Sequence, residues 1–148
     1  MDASSIVSAA NPAIDDAAAL ARGVARMFAL RGFSCVAELS LANGRRADLL
    51  ALGPKGELTV IEIKSSLADF RADAKWPDYV GFCDTFFFAV GPRFPRDLIP
   101  EEAGLIVADA YGGEILRPAP ERPVKPARRK AVTLRFAHAA ANRVNGVI

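Results

Sequence analysis

The segment Leu58-Thr59-Val60-Ile61-Glu62-Ile63-Lys64 sets a carboxylate and an ammonium into an otherwise apolar run. Side chains alternate faces along a strand, so Glu62 and Lys64 project from one side, about 7 Å apart, and Ile61 and Ile63 from the other. Asp48 interrupts a second apolar run, Ala47 to Leu52, and Glu38 a third, Cys35 to Leu39. Carboxylates set among apolar neighbours are costly to bury unless paired or bound to a metal. Acids converging on one patch repel one another unless a cation sits among them. Hard oxygen ligands with room for water suit Mg²⁺ or Mn²⁺. A neighbouring lysine would then orient or deprotonate a water, or neutralise charge on a phosphate. That set is what metal-assisted phosphodiester hydrolysis requires. The plainer reading, an exposed Glu62–Lys64 ion pair without function, is weakened by the company these residues keep.

That company is a set of elements able to bring the acids together. A helix is expected from Asn11 as N-cap and Pro12 at N1, with Asp15 and Asp16 in the first turn. It continues through Leu20, Val24, Met27 and Leu30 or Arg31, with Gly32 as its stop. Strands are expected over 33–42 and 46–52, joined at Asn43-Gly44, and over 58–64 after the turn Gly53-Pro54-Lys55-Gly56. Short turns between these three strands imply an antiparallel meander, which can set Asp48 alongside Glu62. Ser66 can cap a following helix, with Asp69 at N3, running towards Trp76 until Pro77 breaks or restarts it through Phe82. Asp84 to Val90 reads as a strand covered on both faces, followed by a buried strand over 104–109 and a short edge strand over 114–117. Four prolines make 117–126 an extended connector to a basic C-terminal helix over about 127–145. The expected architecture is a single α/β domain over 1–148, a central mixed sheet of antiparallel meander and then crossover strands, flanked by helices.

Composition is ordinary for such a domain: 148 residues, half of them apolar and a quarter charged. The net charge of +2 does not by itself indicate a polyanionic partner, but its distribution is uneven. From Glu121 onward one acid stands against seven bases, Arg122, Lys125, Arg128, Arg129, Lys130, Arg135 and Arg143. The stretch MDASSIVSAANPAIDDAAAL lacks the pattern of a secretory signal, and no run approaches eighteen apolar residues. A cytoplasmic protein with reduced Cys35 and Cys83 and no membrane contact is expected.

Asp48 followed by Glu62-Ile63-Lys64 on consecutive strands resembles the P-D…(D/E)-x-K signature of restriction-endonuclease-like nucleases. The blocks GRRADLLAL, VIEIKSSLADFRADAKWPDYVGFCD and FFFAV resemble, more closely, the MmcB family of bacterial DNA-repair proteins. The likeness spans roughly Gly32 to Val107. It implies a restriction-endonuclease-like fold, Mg²⁺ or Mn²⁺ held by Asp48, Glu62 and the Ile63 carbonyl, and a catalytic Lys64. Ala47 stands in place of the signature proline, which supplies no ligand. The glutamate often given by the first helix is absent, leaving Asp15, Asp16 or, better placed, Glu38 to complete the metal site.

Further residues are candidates for DNA contact or support of the site: Arg46 with Arg45 at the hairpin, Ser65 and Ser66 at the strand end, and Lys75 and Tyr79 four apart on one helical face. The tail residues Arg128, Arg129 and Lys130 are candidate phosphate contacts. Trp76 is a core residue or a base-stacking platform. His138 falls on the last helix, away from the motif. The expected function is DNA repair by a metal-dependent endonuclease, with DNA as partner, other repair or replication proteins as associates, and a homodimer as the economical way to cut both strands. The rival is a non-catalytic DNA-binding or repair-scaffolding protein on the same fold, and RNA as substrate is not distinguished.

Overall fold

The computed structural model describes residues 16–72 and 74–147. Six strands form one mixed sheet in the order of the chain: β1 (Ser34–Ser40), β2 (Arg46–Leu52), β3 (Leu58–Lys64), β4 (Thr85–Val90), β5 (Gly104–Ala108) and β6 (Gly113–Arg117). β1, β2 and β3 are the expected antiparallel meander. β4 and β5 then join in parallel, and β6 returns antiparallel along the edge. Parallel strands need a crossover between them. Between β3 and β4 it is made by α2 (Leu67–Ala72) and a 3₁₀ segment, Trp76–Phe82.

Helix α1 (Ala17–Leu30) begins one residue after Asp16, whose carboxylate caps it by accepting the Ala18 N–H at 3.2 Å. Asn11, Pro12 and Asp15, expected in the start of this helix, lie outside the described residues. Leu20, Val24, Met27 and Phe28 point inward with i, i+4, i+7, i+8 spacing. Leu30, ten residues after Leu20, has rotated off that face and is 91 % exposed, which corrects its expected place in the core. Gly32 closes the helix with φ +83.

Strand alternation divides the core into two layers. Leu49, Ala51, Ile61, Ile63, Phe87 and Ala89 face α1. Leu50, Leu58, Val60, Phe86, Phe88 and Val90 face the 3₁₀ segment and α3 (Pro126–Val144), which contributes Val132 and Phe136. Trp76 is stacked on Phe86 and meets Phe88 edge-on, so it belongs to this second layer rather than to a base-stacking surface.

Gly23 marks where α1 crosses the β5–β6 turn. A Cβ there would lie 1.7 Å from the Asp109 carbonyl oxygen and 2.8 Å from that of Gly112, both main-chain atoms. Gly23→Ala adds roughly 1 kcal/mol of helix propensity, but the backbone overlap costs more. A net loss of about 2 kcal/mol is expected, read as a lower melting temperature. An unchanged or raised Tm would contradict this packing.

Both cysteines are free, Cys83 buried and Cys35 half-buried. Burial pushes the Cys83 thiol up to about 12 and that of Cys35 to about 11. Neither is expected to react with a thiol reagent at pH 8 until the protein unfolds. Rapid labelling of either in the folded state would refute that.

The C-terminal segment is fastened by its own bases. The Asp84 carboxylate accepts from Arg129 at 2.5 and 2.8 Å, from the Leu58 N–H at 2.8 Å and from the Val124 N–H at 3.0 Å. Arg135 donates to the Ser40 carbonyl at 3.3 Å, and Arg143 to those of Ala37 and Glu38. Arg129 thus ties the start of α3 to Asp84, and Arg135 and Arg143 tie its later turns to β1.

Candidate active site

The ladder between β2 and β3 runs from Leu52↔Leu58 to Leu49↔Ile61. Beyond it, side chains take over from carbonyls. The Asp48 N–H donates to the Glu62 carboxylate at 2.9 Å, and the Ile63 N–H donates to the Asp48 carboxylate at 2.8 Å. Buried N–H groups need acceptors, and here two acids supply them. That reciprocal pair locks Asp48 against Glu62, as the meander requires. Glu62 and Lys64 are each only 6 % exposed although they are ionisable residues in the centre of the sheet. Burial pushes the Asp48 carboxyl above its ordinary value, opposed by the Ile63 N–H and the Lys64 charge.

These residues wall a cleft of about 550 Å³ at the end of the sheet. Its other walls are Asp16 with Ala17, Ala18 and Ala21 of α1, the Ala37–Glu38 stretch of β1, and Asp69 of α2. Alanines in the first turns of α1 leave the space open. Five acids against one lysine give the lining a strongly negative field.

Glu38 sits opposite Asp48 in the β1–β2 register, where the pairing skips from Ala37↔Leu49 to Leu39↔Ala47. Its backbone is left-handed, φ +52, and among the described residues it alone of the non-glycines is so. The kink turns its carboxylate outward, two-thirds exposed and 3.7 Å from Arg46. The expected convergence of three carboxylates is therefore not what the structure shows. Among the described residues no group of three His, Cys, Asp or Glu side chains is arranged to hold a metal ion. What remains is a two-carboxylate donor set, Asp48 and Glu62, in an acidic cleft with room for water. That set fits Mg²⁺ or Mn²⁺, since Mg²⁺ keeps several waters and takes only one or two carboxylates.

Asp69, read from sequence as part of a solvated helix face, lies 3.9 Å from the Lys64 ammonium. The signal for it was present: Ser66 caps α2 by accepting the Asp69 N–H at 3.1 Å, and that third position turns the side chain back over the end of β3. Ser65 and Ser66 line a smaller neighbouring pocket of about 180 Å³ with Arg93, which the sequence did not single out.

The segment that carries Tyr79 is not the α-helix on which Lys75 and Tyr79 were expected to share a face. The chain from Trp76 is a 3₁₀ helix of three residues per turn, so residues four apart no longer share a face. Tyr79 is buried against Phe86 and its hydroxyl donates to the Arg46 carbonyl at 2.9 Å, bracing β2 two residues before Asp48. Lys75 is exposed at the start of the segment. Arg45 is engaged by Asp78 at 2.9 Å, which docks the hairpin on the same segment. Arg129 is committed to Asp84, at the opposite end of β3 from Lys64, and Arg128 lies over the Phe82 ring at 4.3 Å. Lys130 is exposed.

An α/β domain with a six-stranded mixed sheet, acids and a buried lysine meeting where two strands part, is consistent with a restriction-endonuclease-like protein. The chain belongs to the MmcB-like family of DNA repair proteins, whose family model matches residues 7–148. It is similar to a solved protein of unknown function from Silicibacter pomeroyi, at 54 % identity over 84 % of this chain and 86 % of that one, with a TM-score of 0.83. No curated protein matches it. The family gives the chain a role in DNA repair. Among the described residues no helix is long and apolar enough to cross a membrane.

Proposed function

We propose that this chain is a divalent-metal-dependent DNA endonuclease of repair. The observation that carries the reading is the interlocked Asp48–Glu62 pair beside the buried Lys64 in one acidic cleft. Asp48, Glu62 and the Ile63 carbonyl would hold Mg²⁺ or Mn²⁺, with Glu38 entering the set only if its side chain turned inward. The ion would supply Lewis acidity and a lowered water pKa. The chain's own residues supply the rest. Lys64, fixed by burial and by Asp69, holds a donor at the cleft for a water or a phosphate oxygen. Arg46, 3.7 Å from Glu38, Ser65 and Ser66, which follow Lys64, and Lys75 are the proposed backbone contacts, and Tyr79 acts behind them by bracing Arg46.

A second reading, a DNA-binding repair protein without catalysis, is favoured by one observation: the described residues hold no three-donor metal group. A cleavage screen over single-stranded, duplex, flapped and mismatched DNA with Mg²⁺ or Mn²⁺ separates the two. Metal-dependent cutting lost in Asp48→Asn supports the nuclease. Binding that survives EDTA, with no cutting of any substrate, supports the alternative.

A further inference from the structure

We propose that Arg122, Lys125 and Arg128 form a second DNA-phosphate site, at the end of the sheet opposite the acidic cleft. It rests on the family's role in DNA repair and not on the nuclease reading.

The three bases line one cleft of about 590 Å³, floored by Val80, Gly81 and Val124, with no acid in its lining. Like charges over low-dielectric walls focus a positive field. The Arg122 and Lys125 side chains are exposed and make no hydrogen bond or ion pair among the described residues. Arg128 is held ready: its guanidinium lies 4.3 Å from the centre of the Phe82 ring and reaches the Gly81 carbonyl at 3.5 Å. The backbone presenting them is anchored, because the Arg122 N–H donates to the Asp84 carbonyl at 2.8 Å and the Val124 N–H to its carboxylate at 3.0 Å. Arg129 takes no part, since Asp84 occupies it. Helix α3 starts at this cleft with no acid in its first turn and no side-chain cap, so its positive end adds to the field.

The occupant that fits is a phosphodiester backbone. It offers successive anionic oxygens to two arginines and a lysine, and a protein of DNA repair meets that ligand in its work. The cleft lies by Asp84, which pairs with Leu58 at the start of β3, whereas Glu62 and Lys64 lie towards its end. Six residue steps at about 3.3 Å put the two ends roughly 20 Å apart. DNA gripped here would lie at the other end of the sheet from the acidic cleft.

The test is fluorescence anisotropy of a labelled duplex with the full chain in EDTA, across a salt series. Arg122→Gln/Lys125→Gln/Arg128→Gln is expected to bind at least ~10-fold more weakly, with the slope of log K against log salt shallower by about 2.7. Arg122→Gln/Lys125→Gln leaves Arg128 packed on Phe82 and guards against a folding defect; its slope should be shallower by about 1.8. Unchanged affinity and slope in this double variant would overturn the proposal. Poly-glutamate competing as well as DNA for the same three bases would overturn it in favour of an acidic protein partner. The readout is binding in EDTA and involves no cleavage, so failure of the nuclease reading leaves this result standing.

Discussion

Asp48→Asn is expected to lower metal-dependent DNA cleavage by about 10²–10³-fold while leaving the melting temperature of the metal-free protein unchanged or slightly raised. Asparagine keeps the shape of the side chain and an oxygen to accept the Ile63 N–H, which Asp48 now holds at 2.8 Å. It removes the charge and turns the other carboxylate oxygen into an amide donor. In the metal-free cleft that charge is partly desolvated and shares the lining with Glu62, Glu38, Asp16 and Asp69. Its loss should therefore cost the fold nothing. Cleavage rates, a Mn²⁺ titration and a thermal melt on the same preparation distinguish the outcomes. A site for a cation loses metal affinity and activity together at constant stability. If Asp48→Asn melted several degrees lower yet bound Mn²⁺ and cut DNA as wild type, the acid would be a structural strand clamp.

Asp84→Ala should instead cost stability, about 3 kcal/mol at neutral pH. Three contacts are lost at once: the two-pronged pair with Arg129 and the acceptors of the Leu58 and Val124 N–H groups. Arg129 and those N–H groups would be left part-buried without a carboxylate. Burial alone would raise the Asp84 carboxyl, but the hydrogen bonds from Arg129, Leu58 and Val124 outweigh it and hold the group below its usual value. A depressed carboxyl stabilises the fold above the unfolded-state pKa of about 4, and that contribution is lost as pH falls through the lower folded-state value. Hence the gap in Tm between wild type and Asp84→Ala should be constant from pH 8 to about pH 5 and close in stronger acid. A gap that persisted unchanged at pH 2 would show that the pair is not the source.

These two acids also show how far local pattern reaches. Both interrupt apolar strands or their starts, and both are equally conspicuous in sequence. The pairing of Asp48 was legible because Glu62 and Lys64 lie within a short meander whose register two tight turns dictate. Asp84 finds its partner 45 residues away, across a proline-rich connector. No periodicity records that distance. The same holds for Arg135 and Arg143, whose acceptors on β1 lie about a hundred residues back. Bases that look like a nucleic-acid tail by composition serve in part as fastenings.

The sequence by itself determined the β-meander, β3 residue for residue, the two-layer core and the meeting of Asp48 with Glu62 and Lys64. Alternation, turn residues and apolar runs are local, and they suffice for strands that pair with their chain neighbours. Only the tertiary structure decided the rest of the site. Glu38, with its left-handed backbone, has its carboxylate two-thirds exposed and beside Arg46. The 3₁₀ winding from Trp76 buries Tyr79, and Lys75 lies exposed just before it. The crossing of α1 brings Asp16 to the cleft. Each depends on where a backbone twists against a distant neighbour, a quantity that side-chain spacing along the chain does not encode.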